Sequence, residues 1–244
     1  MHIRVTGLVL PVVIGIGVAV TSCSAQGTVK PAASATRSAS AAAVSDSSTA
    51  SPAATPSSSP TVPAGYSRVG GSEQGISLAA PSSWVAVDLA KETLQNAANK
   101  LNLHGLSASE IVQDMESLQK SHAVLVVDVK AGVDSPQHFT PNLNAYCGVS
   151  GVNDVGAASV PLIKSLASAE FEKLGATNVT QKDLVIGGVP GVETSYDLSV
   201  SGVGTISASQ LEVLPAPNKI CEVTVSGASQ GTVISVAAAT AQFP

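Results

Sequence analysis

The feature that most constrains how this chain folds is an abrupt change of composition near residue 65. Between residues 24 and 65, roughly four-fifths of the side chains are Ser, Ala, Thr or Pro, and almost none is large and apolar. Such a segment cannot bury enough apolar surface to order itself, so we expect a disordered linker there. Residues 66–244 instead alternate apolar stretches with turn residues. That length of about 180 residues suffices for one globular domain with its own core.

The beginning of the chain has the pattern of an export signal. Arg4 supplies a positive charge, and the apolar run Val5–Val20 follows it. This run is shorter than the roughly 20 residues that a membrane-spanning helix needs, and its Pro and Gly residues weaken a helix further. We therefore expect residues 1–22 to be a removed signal peptide and not a retained anchor.

A single cysteine ends this segment, in the order Val20-Thr21-Ser22-Cys23. An aliphatic residue, two small residues and a cysteine resemble the bacterial lipobox, in which diacylglycerol is attached to the cysteine thiol. A thiolate is a strong nucleophile, which suits thioether formation, and two or three acyl chains such as palmitate anchor a protein stably. The sequence thus predicts a lipoprotein, with Cys23 lipidated and residues 23–65 as its tether. It would be anchored to the cell membrane on the extracytoplasmic face, in the cell envelope. A plain secreted protein is the alternative.

The two remaining cysteines form an even pair. If Cys23 is acylated, Cys147 and Cys221 are left in an oxidising compartment, where disulfides persist. A disulfide between them would close a loop of about 75 residues and contribute about 3–5 kcal/mol in the chain-entropy model. Both fall on apolar faces of predicted strands. Two buried free thiols are the alternative.

Residue patterns in the domain predict helices and strands in a mixed order. Helices are expected from Leu89 to Leu101, from a capping box formed by Ser107 and Glu110, from Ser159 to Leu174, and near the C-terminus. Strands are expected from their β-branched or alternating patterns at Ile76–Ala79, Ala123–Lys130, Asn142–Val149, Asp183–Ile186, Val192–Val200, Thr205–Leu214 and Lys219–Val225.

This order of elements predicts an α+β domain in which helices cover an antiparallel β-sheet. The last two strands are expected to pair as a hairpin around PAPN. On the helix from Ser159 to Leu174, helical spacing places Leu162, Ile163 and Leu166 on the inward face.

Two motifs carry a family resemblance. The segment GISLAAPSSW, Gly75–Trp84, ends in P-x-x-W, and the segment FTPNLNAYC, Phe139–Cys147, contains F-x-x-N-x-N. With the helix and hairpins that follow, they resemble the Mog1/PsbP-like domains of actinobacterial lipoproteins of the LpqN/LpqT type, over most of residues 66–244. The resemblance implies an α/β/α sandwich with an antiparallel sheet. It also implies a non-enzymatic accessory or partner-binding role.

Catalytic, metal-binding and nucleic-acid-binding patterns are weak. The formal net charge is −5 and no run of basic residues occurs, so nucleic-acid binding has no electrostatic basis. His104, His122 and His138 lack metal-ligand spacing, so neither a metal nor another cofactor is expected. The stretch GASQG fits G-x-S-x-G, but no His, Asp or Glu follows Ser229, so an esterase using Ser229 is the least favoured hypothesis.

Three side chains are candidates for ligand binding. Trp84 is the only tryptophan; we expect it to fill the core, with a ligand-pocket wall as the alternative. Asn142 and Asn144 are expected to fix a turn through bonds to the backbone, with a polar pocket as the alternative.

These observations support two main functional hypotheses. The first is a non-enzymatic module that binds an envelope or host protein through an exposed sheet edge or a loop face. The second is a carrier of a lipid or another small apolar ligand, held between the sheet and the helices.

The lipid anchor can be tested directly. We expect Cys23→Ser to abolish incorporation of a labelled fatty acid and to remove the mature chain from the membrane fraction, because the thiol is the acylated atom. Labelling and fractionation in a lipidating bacterial host measure both effects. A Cys23→Ser chain that still incorporates label would contradict the prediction.

Overall fold

The computed structural model describes residues 60–101, 108–134, 139–153, 155–200, 203–227 and 230–244. The predictions for Cys23, Ser107 and Ser229 lie outside these ranges, as do the signal peptide and the linker as far as residue 59.

The described chain begins its regular structure at Tyr66, where the composition changes. Its strands are β1 (Tyr66–Gly71), β2 (Ile76–Pro81), β3 (Val85–Asp88), β4 (Val124–Val127), β5 (Asn142–Val149), β6 (Thr177–Ile186), β7 (Val189–Val200), β8 (Gly204–Ala216) and β9 (Lys219–Ser226). Its α-helices are α1 (Leu94–Leu101), α2 (Ala108–Lys120), α3 (Val129–Asp134), α4 (Val160–Lys173) and α5 (Gln230–Thr240).

Seven strands form one antiparallel sheet in the order β3-β4-β5-β9-β8-β7-β6. β1 and β2 form a separate antiparallel hairpin. Helices α1, α2 and α4 pack on one face of the large sheet, whereas α5 and the hairpin pack on the other. The prediction of an antiparallel sheet covered by helices is therefore confirmed.

Burial on both faces explains the continuous apolar run of β4. Val124 and Val126 join the core under α5, and the alternating residues Leu125 and Val127 join the core under α1 and α2. Successive side chains of a strand point to opposite faces, so a central strand with both faces covered reads as uninterrupted aliphatic sequence.

A disulfide joins Cys147 and Cys221, which are directly opposite each other on β5 and β9. The turn between β1 and β2 lies against it: the Cys147 N–H donates to the Gln74 carbonyl oxygen at 2.9 Å. Gly75 in this turn has φ of +67°, and a Cβ there would lie 3.0 Å from the Cys147 Cβ. Glycine thus allows the hairpin to pack closely over the disulfide.

The first helix begins later than predicted. Asp88 does not start it; its carboxylate accepts the Ala90 N–H at 3.1 Å and holds a turn, as Asp side chains do in competition with helix. The helix starts after Thr93, whose hydroxyl accepts the Asn96 N–H at 3.3 Å as an N-cap.

The predicted strand Ala123–Lys130 is also shorter than expected, because Asp128 ends it. The Asp128 carboxylate accepts the Ala131 N–H at 3.1 Å and so initiates the short helix α3.

The first strand, β1, was not predicted from the sequence, since its residues YSRVGG carry little apolar alternation.

Helix α4 begins after Ser159 with a proline in its first turn, as predicted. Its inward face was partly misassigned: Ile163, Ala167 and Phe171 are buried, whereas Leu162 is 39% exposed. The i, i+4, i+8 spacing of these small and large residues defines the packed face better than the leucines do.

The disulfide is expected to contribute substantially to stability. Its cysteines are 74 residues apart in sequence. Replacing both Cys147 and Cys221 with Ala should lower the free energy of unfolding by about 4 kcal/mol, because the unfolded chain regains the entropy of an open loop. Urea unfolding of the oxidised chain and the double variant measures this difference. Equal unfolding midpoints would contradict the prediction.

Candidate functional site

The face of the large sheet that α1, α2 and α4 cover is polar at its centre. Between the apolar cluster under α1 and α2 and the apolar clusters under α4, strands β5, β9 and β8 present buried polar side chains. We call this set the polar face; it comprises Asn142, Asn144, Tyr146, Gln210, Glu212, Glu222, Thr224 and Ser226.

Strand register arranges these side chains in rows. Tyr146, Glu222 and Glu212 lie directly across β5, β9 and β8 from one another. Residues directly opposite on antiparallel strands have Cβ atoms about 4.5–5.5 Å apart, so the two glutamates are close neighbours. Two carboxyl groups are thus held side by side in the interior of the domain.

Hydrogen bonds link part of the polar face. The Tyr146 hydroxyl donates to the Glu222 carboxylate at 2.6 Å. Gln210 Nε2 donates to Glu212 Oε1 at 3.3 Å, and the Thr224 hydroxyl donates to Gln210 Oε1 at 3.2 Å. These bonds fix the side chains around the two carboxyl groups.

Within the part of the chain that the structure describes, other polar atoms of the same face have no hydrogen-bond partner. They are Asn142 Oδ1, Asn144 Nδ2, Glu212 Oε2 and Ser226 Oγ, and their residues are at most 2% exposed. A buried polar group without a partner costs about 1–3 kcal/mol, so such groups call for an explanation such as a bound molecule or ordered water. Because four of them lie on one face, the polar face is the candidate binding site of this domain.

The Glu212 carboxyl titrates abnormally. Burial raises its pKa well above the ordinary glutamate value of 4.5, and the neighbouring charge of Glu222 raises it further, whereas the hydrogen bond from Gln210 acts in the opposite direction. Glu212 therefore keeps its proton to a higher pH than an exposed glutamate does.

Nearby carboxyl groups also raise the pKa values of two tyrosines beside Glu212 and Glu222. The pKa of Tyr146 is raised by burial and then by Glu222, Glu170 and Glu212. The pKa of Tyr196, whose ring packs 4.2 Å from that of Phe171, is raised by burial and by the same three carboxyl groups. Glu170, on α4, thus faces the polar face from the helix layer.

The sequence-predicted ligand residues are not brought together. Asn142 and Asn144 belong to the polar face, whereas Trp84 packs against the core on the opposite side of the sheet. Trp84 lines a separate surface pocket of about 450 Å³, together with Tyr66, Pro81, Asp128, Ala131, Pro141, Thr232 and Val233.

The expectation that the two asparagines fix a turn is wrong. Both lie within β5, and among their side-chain atoms only Asn142 Nδ2 bonds a nearby carbonyl oxygen, that of Thr140 at 3.1 Å. Both point away from the aliphatic residues of the same strand, which leaves the polar-pocket alternative in place.

The acid pair was missed by the sequence argument, although a signal existed. Glu212 and Glu222 each interrupt an aliphatic strand at alternating positions, about equally far from the predicted PAPN turn. Such alternation is ordinarily typical of a strand with one solvated face. Here helices cover the polar side of both strands, so the same alternation places two glutamates in the interior.

None of the helices in the described part of the chain combines the length and apolar character needed to cross a bilayer. Within the same ranges, no three His, Cys, Asp or Glu side chains converge as metal ligands.

Comparison with solved structures gives a likeness to a PsbP protein. No protein-family model matches the chain, and no curated protein matches it. The chain is similar to the solution structure of cyanobacterial PsbP (CyanoP) from Synechocystis sp. PCC 6803, with 14% identity and a TM-score of 0.38. The match covers 75% of this chain and 94% of that protein.

The abnormal titration of Glu212 predicts how stability depends on pH. The folded chain holds this proton at pH values where the unfolded chain has released it, so stability falls as pH rises above about 4.5, by at most about 1.4 kcal/mol per pH unit. Glu212→Gln carries no such proton, and we expect it to flatten the decline. Urea unfolding between about pH 5 and pH 8 measures both slopes.

A matched control is Glu193→Gln, which alters a buried glutamate of the opposite sheet face that is paired with Lys182 at 2.9 Å. It should keep the wild-type slope. Identical slopes for Glu212→Gln and the unaltered chain would contradict the assignment of the proton to Glu212.

Proposed function

We propose that this chain is a non-enzymatic lipoprotein of the cell envelope whose domain binds a small polar ligand between the sheet and the helices. The single observation that carries this proposal is the polar face, with buried hydrogen-bonding atoms of Asn142, Asn144, Glu212 and Ser226 that have no partner. Binding sites commonly combine apolar walls with a few convergent polar groups, which is the arrangement found here.

The chemistry of this face argues against an apolar cargo. A lipid chain placed over Asn144 and Glu212 would leave their polar atoms desolvated and unbonded. A ligand with its own hydrogen-bonding groups would satisfy them instead. The carrier hypothesis is therefore kept in altered form, with a polar molecule in place of a lipid.

The membrane anchor completes the proposal. The lipobox-like sequence ending at Cys23 and the Ser/Ala/Thr/Pro-rich segment after it support a domain tethered by a diacylglyceryl group to the extracytoplasmic side of the membrane. The two motifs that resemble the LpqN/LpqT-type domains of actinobacteria support the same placement. We propose membership of that group on these motifs.

A protein-binding role is the second candidate, and the edge strand β6 favours it. β6 pairs on one side only among the described strands, with β7, and most of its residues are exposed, including Val185 at 62%. An extended segment of a partner can add to such an edge through main-chain hydrogen bonds. Lys182 near its middle is a charge of the kind that discourages non-specific pairing.

Native mass spectrometry of the full lipidated chain, released from detergent, distinguishes these candidates. We expect a reproducible extra mass of a small polar molecule, which disappears in Asn144→Leu and decreases in Ser226→Ala, because each removes a hydrogen bond to the ligand. The matched control is Ser209→Ala, a buried serine on the opposite face of β8 that bonds Ser195 at 2.9 Å. It should leave the ligand in place.

The other outcomes decide against the proposal. The bare protein mass in every preparation would contradict a tightly held ligand. A co-purifying polypeptide, lost when Val185 is replaced by Asp, would support the second candidate in its place.

A further inference from the structure

The chemical class of the ligand follows from the hydrogen-bonding inventory of the polar face. Of the unpartnered atoms, Asn142 Oδ1 is an acceptor, Glu212 Oε2 is an acceptor when ionised, and Ser226 Oγ can act either way. Only Asn144 Nδ2 is purely a donor. An excess of acceptors suits a ligand that supplies mostly N–H donors.

The described charges that act on Glu212 are acidic. Glu212 and Glu222 are adjacent on β8 and β9, and Glu170 acts on both neighbouring tyrosines from α4. Burial raises the pKa of Glu170, and the charge of Lys173 on the same helix acts in the opposite direction.

We propose that the ligand carries an organic cation, an ammonium or amidinium group, which lies between Glu212 and Glu222 and takes the place of the Glu212 proton. This inference rests on the proposed function, because it names the ligand of the same site. Ammonium and amidinium groups have donors and no acceptors, and their charge-assisted hydrogen bonds to carboxylates are about twice as strong as neutral ones. Asn142 and Ser226 lie opposite each other four residues along β5 and β9 from the Glu212–Glu222 row, so their acceptor atoms would bond donors on another part of the same ligand.

Binding by proton replacement has a defined pH dependence. At low pH, Glu212 is protonated, and its proton must leave to solvent before the cation can bind. As pH rises, Glu212 ionises more easily and the affinity for a cation increases, whereas a neutral ligand shows no such gain. The groups that face Glu212 are Glu222, Gln210, Glu170 and the two tyrosines. The pKa values of both tyrosines are raised above the ordinary value, mainly by burial, so neither tyrosine loses its proton over the pH range of this test.

The test uses two matched probe pairs and the full chain in detergent. Benzamidine is compared with benzamide, and benzylamine with benzyl alcohol, by ligand-observed nuclear magnetic resonance. We expect the cationic member of each pair to bind about tenfold or more tightly at about pH 7.5, and the ratio to fall towards one at about pH 5. Glu212→Gln should remove the preference, and Glu193→Gln should retain it.

The outcomes separate this inference from the proposed function. Equal binding of cationic and neutral probes, lost in Asn144→Leu, would overturn the cationic ligand but leave a polar site. A cation preference that is unchanged from about pH 5 to about pH 7.5 would also overturn it, since proton replacement requires the change. No binding of any probe, with the bare mass in native mass spectra, would overturn both. The pH series on the unaltered chain keeps the test decisive if Glu212→Gln does not fold.

Discussion

The antiparallel pairing of β5, β9 and β8 is the constraint on which the rest of the structure depends. The same register puts Cys147 opposite Cys221 on one face and Tyr146 opposite Glu222 on the other. A slip of one residue would exchange the faces of a strand and bring its polar side chains under α5. The disulfide therefore holds in place the pairing that assembles the polar face, although the two lie on opposite sides of the sheet.

Burial of polar groups has a free-energy cost that the domain must offset elsewhere. The aliphatic face of β5, β9 and β8, which packs against α5 and the β1–β2 hairpin, supplies a continuous apolar core. On the other side, the apolar clusters under α1–α2 and under α4 stop short of the sheet centre. A domain stabilised by these apolar clusters can therefore keep polar groups without hydrogen-bond partners in one part of its interior. Departures from packing rules of this kind are expected at functional sites.

Much of the fold was predictable because its signals are local. The β8–β9 hairpin follows from two alternating stretches around PAPN, and helix α4 follows from a serine and a proline at its start. The start of α1 and the end of β4 were not predictable, because Asp88 and Asp128 each choose between a turn and a helix according to tertiary context. The site was only half predicted: Asn142 and Asn144 were identified, but Glu212 was not, since whether a polar strand face meets water or helices is decided by the layers above it.

We propose that the polar face holds a ligand and is not a solvated part of the interior. A crystal structure of the exported, lipidated chain, at a resolution that shows ordered water, tests this most directly. We predict density for a molecule other than water, with a nitrogen atom within hydrogen-bonding distance of Glu212 Oε2. Water molecules alone, bridging Asn144, Ser226 and Glu212 in a closed network, would contradict the account and make the polar face a structural feature of the fold.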